Sequence, residues 1–211
     1  MPRKPDILLL SDAPGVLGAD LDILYPGRVR RLDITRERHG LATLKPYKAV
    51  ITLLRDGTKL KKLNYGAVTA YARAGGQVIT CLFESAKNRD LHFSKTHVMD
   101  RFRPAIRIDA ETDVTRGYAT GDTVWWYGTT SSAPDQMYAN QMHQRQILDV
   151  KTSADLSVLA TSTVNDGAMI IEERVGKGRI VAMDLMSPIR PFYNSWGSTN
   201  KYLFLGNVIG G

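Results

Sequence analysis

The most regular hydrophobic pattern in the chain covers Tyr47–Glu84. Lys48–Leu54 is a short apolar run rich in β-branched residues, and Gln77–Phe83 is apolar along nearly its whole length, so each predicts a buried strand. Between them, apolar side chains recur at spacings of three and four, which predicts one amphipathic helix with a single buried stripe. That stripe consists of Leu60, Leu63, Ala67, Tyr71 and Ala74. Two strands joined by a helical crossover are parallel, so the fold class is α/β.

The boundaries of this helix follow from its flanking residues. Asp56 or Thr58 can cap its first turn, and Gly75-Gly76 supplies the left-handed stop. The same alternation of elements begins earlier in the chain, with a strand at Asp6–Leu10, a short helix at Val16–Leu24 and a strand at Val29–Ile34. This order of strands and helices is typical of a doubly wound parallel sheet.

After Glu84 the pattern changes, because Ser85–Asp100 is polar and is expected to be a loop that covers the site as a lid or side wall. Further strands are predicted at Arg103–Asp109, Val124–Tyr127, Ser157–Ser162, Met169–Arg174 and Arg179–Leu185. Gly176-Lys177-Gly178 resembles a phosphate loop, but it lies between two strands, so a hairpin turn is the better interpretation. Thr199–Ile209 is predicted to be a covering helix.

Length and composition favour one soluble domain. A chain of 211 residues can bury roughly 70% of its unfolded surface, which predicts a single domain over residues 1–211. A single cysteine, Cys81, excludes an internal disulfide and fits a reducing compartment. No apolar run approaches the ~20 residues of a membrane span, and the first residues lack the apolar core of a signal peptide. We therefore expect a cytoplasmic protein that does not contact membranes.

The chain is basic, with 28 Lys and Arg against 21 Asp and Glu, a net charge of +7 and a pI near 9.5. Such a balance can indicate nucleic-acid binding. The basic residues are spread along the chain, however, in small groups that include Arg36/Arg38 and Lys59/Lys61/Lys62. Solubility is therefore favoured over phosphate or nucleic-acid binding as the explanation.

Several motifs in this order resemble the class I glutamine amidotransferase-like superfamily, particularly its trehalose-utilisation (ThuA-like) branch. They are the hydrophobic first strand, YKAVITL from Tyr47, Ala74-Gly75-Gly76, DVTRGYATGD at 113–122 and ERVGKGRIV at 173–181. The resemblance spans nearly the whole chain, because a TRG segment and a GKGR hairpin recur at similar places in that group. It implies a flavodoxin-like fold with a mostly parallel sheet, helices on both faces, and a carboxyl-terminal β-hairpin with a mixed edge.

The catalytic machinery of the amidotransferases is not carried over with the fold. Their cysteine nucleophile lies on a sharp turn that needs small residues two positions before and after it, whereas Cys81 has Ile79 and Phe83 there. No histidine follows His143, so the base expected near Asp184 is absent. The sequence therefore predicts a catalytically degenerate domain in which Cys81 is a buried small hydrophobic residue.

Ligands of open α/β sheets bind beyond the carboxyl ends of the strands, so the residues that follow the strands are the candidate site. The ligand-binding candidates are Ser11, Asp12, Arg55, Asp56, Tyr193 and Asn194. A divalent metal is the one cofactor this set suggests, with Asp12, Glu84 and Asp184 as ligands. The catalytic candidates are Glu84, Asp184 and His97, the last supplied from the lid segment. Alternatively, Asp12 and Asp56 are turn and cap residues and Glu84 pairs with Arg55.

Three functions stay open at this point. The first is a degenerate domain that binds a small molecule, for which a carbohydrate is suggested by the resemblance alone, or that serves as a scaffold. The second is a hydrolase or isomerase that uses the carboxylates, with or without a metal. The third is a basic protein that contacts nucleic acid. Trp125-Trp126-Tyr127 could stack a sugar or a base, and homo-oligomers through this cluster or a strand edge are compatible with each function.

Overall fold

The structure, a computed structural model, describes residues 4–54, 57–80, 91–100, 105–125, 143–163, 166–183 and 199–210. Its strands in chain order are β1 (Ile7–Ser11), β2 (Val29–Asp33), β3 (Ala49–Thr52), β4 (Gln77–Thr80), β5 (Phe93–Asp100), β6 (Ala105–Ile108), β7 (Thr123–Trp125), β8 (His143–Val150), β9 (Leu156–Ser162), β10 (Ala168–Val175) and β11 (Gly178–Met183). Its α-helices are α1 (Pro14–Leu17), α2 (Ala19–Leu24), α3 (Leu41–Leu44), α4 (Tyr65–Arg73) and α5 (Thr199–Gly210).

The chain packs into two compact units. Unit 1 comprises Met1–Leu91 with Glu173–Ala182, and unit 2 comprises His92–Glu172 with Met183–Gly211. Strand β10 carries the chain from unit 2 into unit 1. The prediction of one domain over residues 1–211 stays a prediction.

Unit 1 is built on a parallel sheet in the order β2-β1-β3-β4-β11. Strands β1 and β3 are fully buried, as their unbroken apolar sequences predict. Because the strand order reverses at β1, right-handed crossovers put α1 and α2 on one face of the sheet and α3 and α4 on the other. The α/β, flavodoxin-like, doubly wound fold class is thus confirmed.

The turn between β10 and β11 belongs to unit 1 and packs against the end of α4. Lys177 N donates to Arg73 O at 3.1 Å, and Arg179 N donates to Gly76 O at 3.3 Å. A Cβ atom on Gly178 would lie 2.3 Å from two carbonyl oxygens, those of Ala72 and Gly76. The hairpin-turn interpretation of Gly176-Lys177-Gly178 is therefore correct, and the glycine motif serves close backbone packing.

Unit 2 contains antiparallel strands. Strand β6 pairs with β7 and β9, and β5 pairs with β8 along eight residues. The loop that holds the TRG segment is fixed to α5, because Asn207 Nδ2 donates to the carbonyl oxygens of Val114 (3.0 Å) and Arg116 (2.9 Å). The rings of Tyr118 and Phe204 stack at 5.4 Å. This motif of the predicted family thus ties a loop to the carboxyl-terminal helix.

The predicted helix between β3 and β4 was wrong at its start. The chain first forms a 3₁₀ helix, Gly57–Lys62, and α4 begins only at Tyr65. Asn64 is the cap, since its Oδ1 accepts a hydrogen bond from Ala67 N at 3.0 Å. A capping side chain at Asn64 ends the preceding turn and starts a new helix, which the apolar periodicity across Leu60 and Leu63 does not reveal.

Two other predicted elements differ from the structure. The helix predicted at Val16–Leu24 is divided into α1 and α2 at Gly18, whose backbone N donates to Pro14 O. Part of the expected polar loop is strand β5, which pairs with β8 some 49 positions away at His97 and Gln146. Long-range antiparallel pairing of polar strands leaves little local signal, because neither strand needs a continuous apolar face.

Candidate functional site at the carboxyl ends of the parallel strands

The strand order of unit 1 creates a switch point beside β1. Its neighbours β2 and β3 are reached by crossovers on opposite faces, so a crevice opens beyond the carboxyl ends of these strands. Ser11 is the last residue of β1 and is buried, and Asp12 follows it in a half-buried position. The structure therefore places both residues at the strand end where the sequence predicts a site. Their binding role stays a prediction.

Local hydrogen bonds fix the end of β1. Ser11 Oγ accepts from Ala13 N at 3.0 Å, and Ser11 O accepts from Ile34 N at 2.9 Å. On the next strands, Thr52 Oγ1 donates to Thr80 Oγ1 at 2.8 Å in a fully buried contact. These hydrogen bonds join the end of β1 to the segment after β2 and link the ends of β3 and β4.

An open cleft of about 410 Å³ lies beyond the end of β2. Its walls are the segment Ile34–His39 on one side and Lys62 with Asn64 on the other. A volume in this range is typical of sites for small ligands. Because Ile34 is hydrogen-bonded to Ser11, the cleft borders the crevice at β1.

The wall that follows β2 is shaped by Asp33. Its Oδ1 accepts from Thr35 Oγ1 at 2.6 Å and from Thr35 N at 2.9 Å, and its Oδ2 lies 3.5 Å from Arg36 Nε. The hydrogen bonds from Thr35, with a smaller contribution from Arg36, lower the pKa of Asp33. An aspartate that accepts from the backbone two residues ahead makes a tight turn, and this turn sends residues 36–39 along the cleft.

His39 joins the two walls. It is buried, its Nε2 accepts from Asn64 N at 2.9 Å, and its carbonyl oxygen accepts from Asn64 Nδ2 at 3.1 Å. Burial lowers the pKa of His39, opposed in part by a hydrogen bond with the Glu37 backbone. A neutral imidazole is also what the contact requires, because a protonated Nε2 could not accept from Asn64 N.

The sequence alone did not assign a role to His39. Its partner Asn64 lies 25 positions away, and both residues are in connecting segments. The one available signal was Asn64 itself, since asparagine before a helical stretch is a preferred cap. Identifying Asn64 as a cap would have located the start of α4 but would not have identified His39 as the residue hydrogen-bonded to Asn64.

Most of the predicted site residues cannot be compared with this geometry. Arg55, Asp56, Glu84, Asp184, Tyr193 and Asn194 lie outside the described residues, as does Cys81. His97 belongs to β5 of unit 2, and the carbonyl oxygen of nearby His92 accepts from Lys151 N at 2.7 Å. Within the described ranges, no three His, Cys, Asp or Glu side chains form a group that could hold a metal. The metal and catalytic assignments stay predictions.

A membrane-spanning helix is not found in the described part of the chain, where no helix is both long and apolar enough.

Solved structures similar to this chain share its fold at low sequence identity. A cytoplasmic protein from Salmonella typhimurium LT2 has a TM-score of 0.62 and 13% identity, over 97% of this chain and 98% of the other. A putative GMP synthase component from Thermoplasma acidophilum has a TM-score of 0.61 and 10% identity, over 99% and 94%. A putative ThuA-like protein from Bacteroides uniformis ATCC 8492 has a TM-score of 0.59 and 12% identity, over 99% and 91%.

No protein-family model matches the chain, and no curated protein matches it in sequence. The similarity to solved structures shows the fold alone, an α/β fold that this chain shares with a putative GMP synthase component and a putative ThuA-like protein.

Proposed function

We propose that this protein is a catalytically degenerate member of the class I glutamine amidotransferase-like superfamily, of the ThuA-like branch, that binds a small molecule. The observation that carries the proposal is the cleft beside the switch point, with walls fixed by His39 and Asn64. Small ligands of open α/β sheets bind in this place. A carbohydrate is the ligand class that the resemblance suggests, and a scaffold role is the alternative if no ligand binds.

The amidotransferase reaction itself is disfavoured by the sequence. A thiolate nucleophile needs a histidine base, and the chain has none after His143. The large residues Ile79 and Phe83 around Cys81 also oppose a strained nucleophile turn. We therefore expect no glutamine hydrolysis.

A carboxylate-dependent hydrolase or isomerase is the second candidate function. Asp12 supports it, because this residue directly follows the buried end of β1, where a catalytic or metal-binding carboxylate would be needed. Glu84, Asp184 and His97 complete the proposed set. Nucleic-acid binding is the further alternative, which the scattered basic residues disfavour, while a cytoplasmic location and a homo-oligomeric state stay expectations.

The binding proposal can be tested by following thermal stability with a panel of neutral and anionic monosaccharides and disaccharides. We expect a sugar of this panel to raise the melting temperature of the wild type, because a ligand that binds only the folded state stabilises it. The variant Asp12→Asn should lose this increase, while Asp155→Asn, an exposed loop residue of unit 2, should retain it. An unchanged response in Asp12→Asn would exclude a ligand that reaches from the cleft to the end of β1.

A parallel assay tests whether the protein is a catalytically degenerate domain or an active glutamine amidotransferase. Ammonia release from glutamine is measured for the wild type and for Cys81→Ser, and neither should exceed the rate without protein. Hydrolysis that Cys81→Ser abolishes would overturn the degenerate assignment. Turnover that instead depends on a divalent cation and on Asp12 would favour the carboxylate enzyme.

A further inference from the structure

Two basic segments that are well separated in the sequence meet at the cleft. Arg36 and Arg38 come from the turn after β2, and Lys62 comes from the end of the 3₁₀ helix. These three cations and Glu37 are the charged residues among its lining, so the lining carries a formal charge of 3 − 1 = +2. The fold has brought together what the sequence presents as scattered solvent-exposed charges.

The neighbouring acids are already engaged. Glu37 Oε1 accepts from Asp33 N at 3.4 Å, which draws this carboxylate back toward the end of β2. Asp33 is held by Thr35 and Arg36. Within the described part of the chain, neither Arg38 nor Lys62 forms an ion pair, so both can meet a ligand of opposite charge.

The polar groups between the cations have fixed roles as well. Asn64 Oδ1 closes the first turn of α4, and His39 Nε2 is occupied by Asn64 N. The helix end is thus capped and the imidazole is committed to structure. Recognition of a ligand is left to the cationic side chains, and the two His39–Asn64 hydrogen bonds join the segments that carry them.

We propose that this cleft binds the phosphate group of a small phosphorylated compound, with Arg38 and Lys62 as its principal cations. The inference rests on the proposed small-molecule function and names the ligand class. Arginine and lysine are the side chains that bind phosphate oxygens through charge-assisted hydrogen bonds. A cleft of about 410 Å³ can enclose a compound the size of a sugar phosphate.

The same lining argues for a small ligand over a nucleic-acid strand. Proteins that follow a single strand combine a long basic groove with aromatic side chains on which the bases stack. No Phe, Tyr or Trp is among the residues that line this cleft. Binding is therefore expected to depend on one phosphate group and its immediate attachment.

The test compares inorganic phosphate, glucose 6-phosphate, glucose and a single-stranded RNA by isothermal titration calorimetry with the full chain. The double variant Arg38→Gln/Lys62→Gln is set against Lys45→Gln/Lys48→Gln, which removes the same charge from exposed positions outside the cleft lining. We expect glucose 6-phosphate to bind the wild type, and the first variant to weaken that binding about tenfold or more. The second variant should match the wild type, and added salt should weaken the interaction.

Each outcome decides the inference. Loss of binding in the cleft variant alone supports it, and comparable affinity for inorganic phosphate would identify free phosphate as a sufficient ligand. Equal weakening in both double variants would overturn it in favour of general charge attraction. A single-stranded RNA that binds more tightly than glucose 6-phosphate would overturn it in favour of nucleic acid. Glucose binding as tightly as its phosphate would overturn the phosphate inference yet leave the proposed function standing, whereas no binding of any compound would remove both.

Discussion

Replacing Gly178 by alanine should destabilise unit 1 strongly. The new Cβ would lie 2.3 Å from the carbonyl oxygens of Ala72 and Gly76 and 2.9 Å from the carbonyl carbon of Gly75. All three contacts are with backbone atoms, so no side-chain rotation can relieve them. Overpacking of this kind costs about 1–3 kcal/mol. Separating the strands would also weaken the hydrogen bond from Arg179 N to Gly76 O, worth about 1 kcal/mol.

We therefore expect a loss of about 3 kcal/mol, which for a chain of this size lowers the melting temperature by about 6–12 °C. Thermal unfolding followed by circular dichroism would measure it. Gly66→Ala is the matched control, because its Cβ would meet only Asn64 Oδ1 at 3.6 Å. Alanine is favoured over glycine in a helix by up to about 1 kcal/mol, so this variant should be neutral or stabilised. Equal melting temperatures for the two variants would refute the close-packing argument.

Three further predictions concern single side chains. The pKa of His39 lies below its usual value of 6.5 in the folded protein, so the unfolded chain binds more protons and the free energy of unfolding should fall as the pH drops below about 6.5. Urea unfolding at two pH values should show a smaller decrease in this free energy for His39→Gln than for the wild type. An equal decrease in the two proteins would contradict the assignment to His39. Tyr71→Phe removes the hydrogen bond to Tyr47 O (2.8 Å) and should cost about 1 kcal/mol. Burial raises the pKa of Tyr71 to about 12, so ultraviolet titration of the wild type should show a late tyrosine ionisation that is absent from Tyr71→Phe. The same late ionisation in both proteins would contradict the assignment to Tyr71. Asn207→Ala leaves two loop carbonyls without their donor and should destabilise unit 2 by about 1–3 kcal/mol, whereas an unaltered melting temperature would mean that solvent replaces the amide.

The parallel strands of unit 1 were predictable because each one is encoded locally. Strands such as Ile7–Ser11 and Ala49–Thr52 are buried on both faces, which requires an unbroken apolar run. Strand β5 lacked such a run, since its pairing with β8 is decided by distant residues. The start of α4 was missed because one capping residue, Asn64, outweighed the periodicity around it.

In the candidate site too, some residues could be located from the sequence and others could not. Ser11 and Asp12 could be located from sequence, because the end of a predicted parallel strand is also the edge where ligands bind. The meeting of Arg36, Arg38 and Lys62 could not, since it depends on the path of two connecting segments and on the His39–Asn64 contact that joins them. Contacts between loops carry no periodic signal.

The position of β11 beside β4, which is made much earlier, has a consequence for synthesis on the ribosome. Strand β4 pairs with β3 on one side and with β11 on the other, and its partner residues Gln77 and Arg179 are separated by 102 positions. At usual translation rates the second partner is made about 5–20 s after the first. During that interval the nascent chain presents one edge of β4, which contains the apolar residues Val78 and Ile79, as an unpaired strand edge, and such an edge is a template for association with other chains. A chaperone that shields nascent strands should therefore raise the yield of this protein more than that of an α/β protein whose central strands are made consecutively.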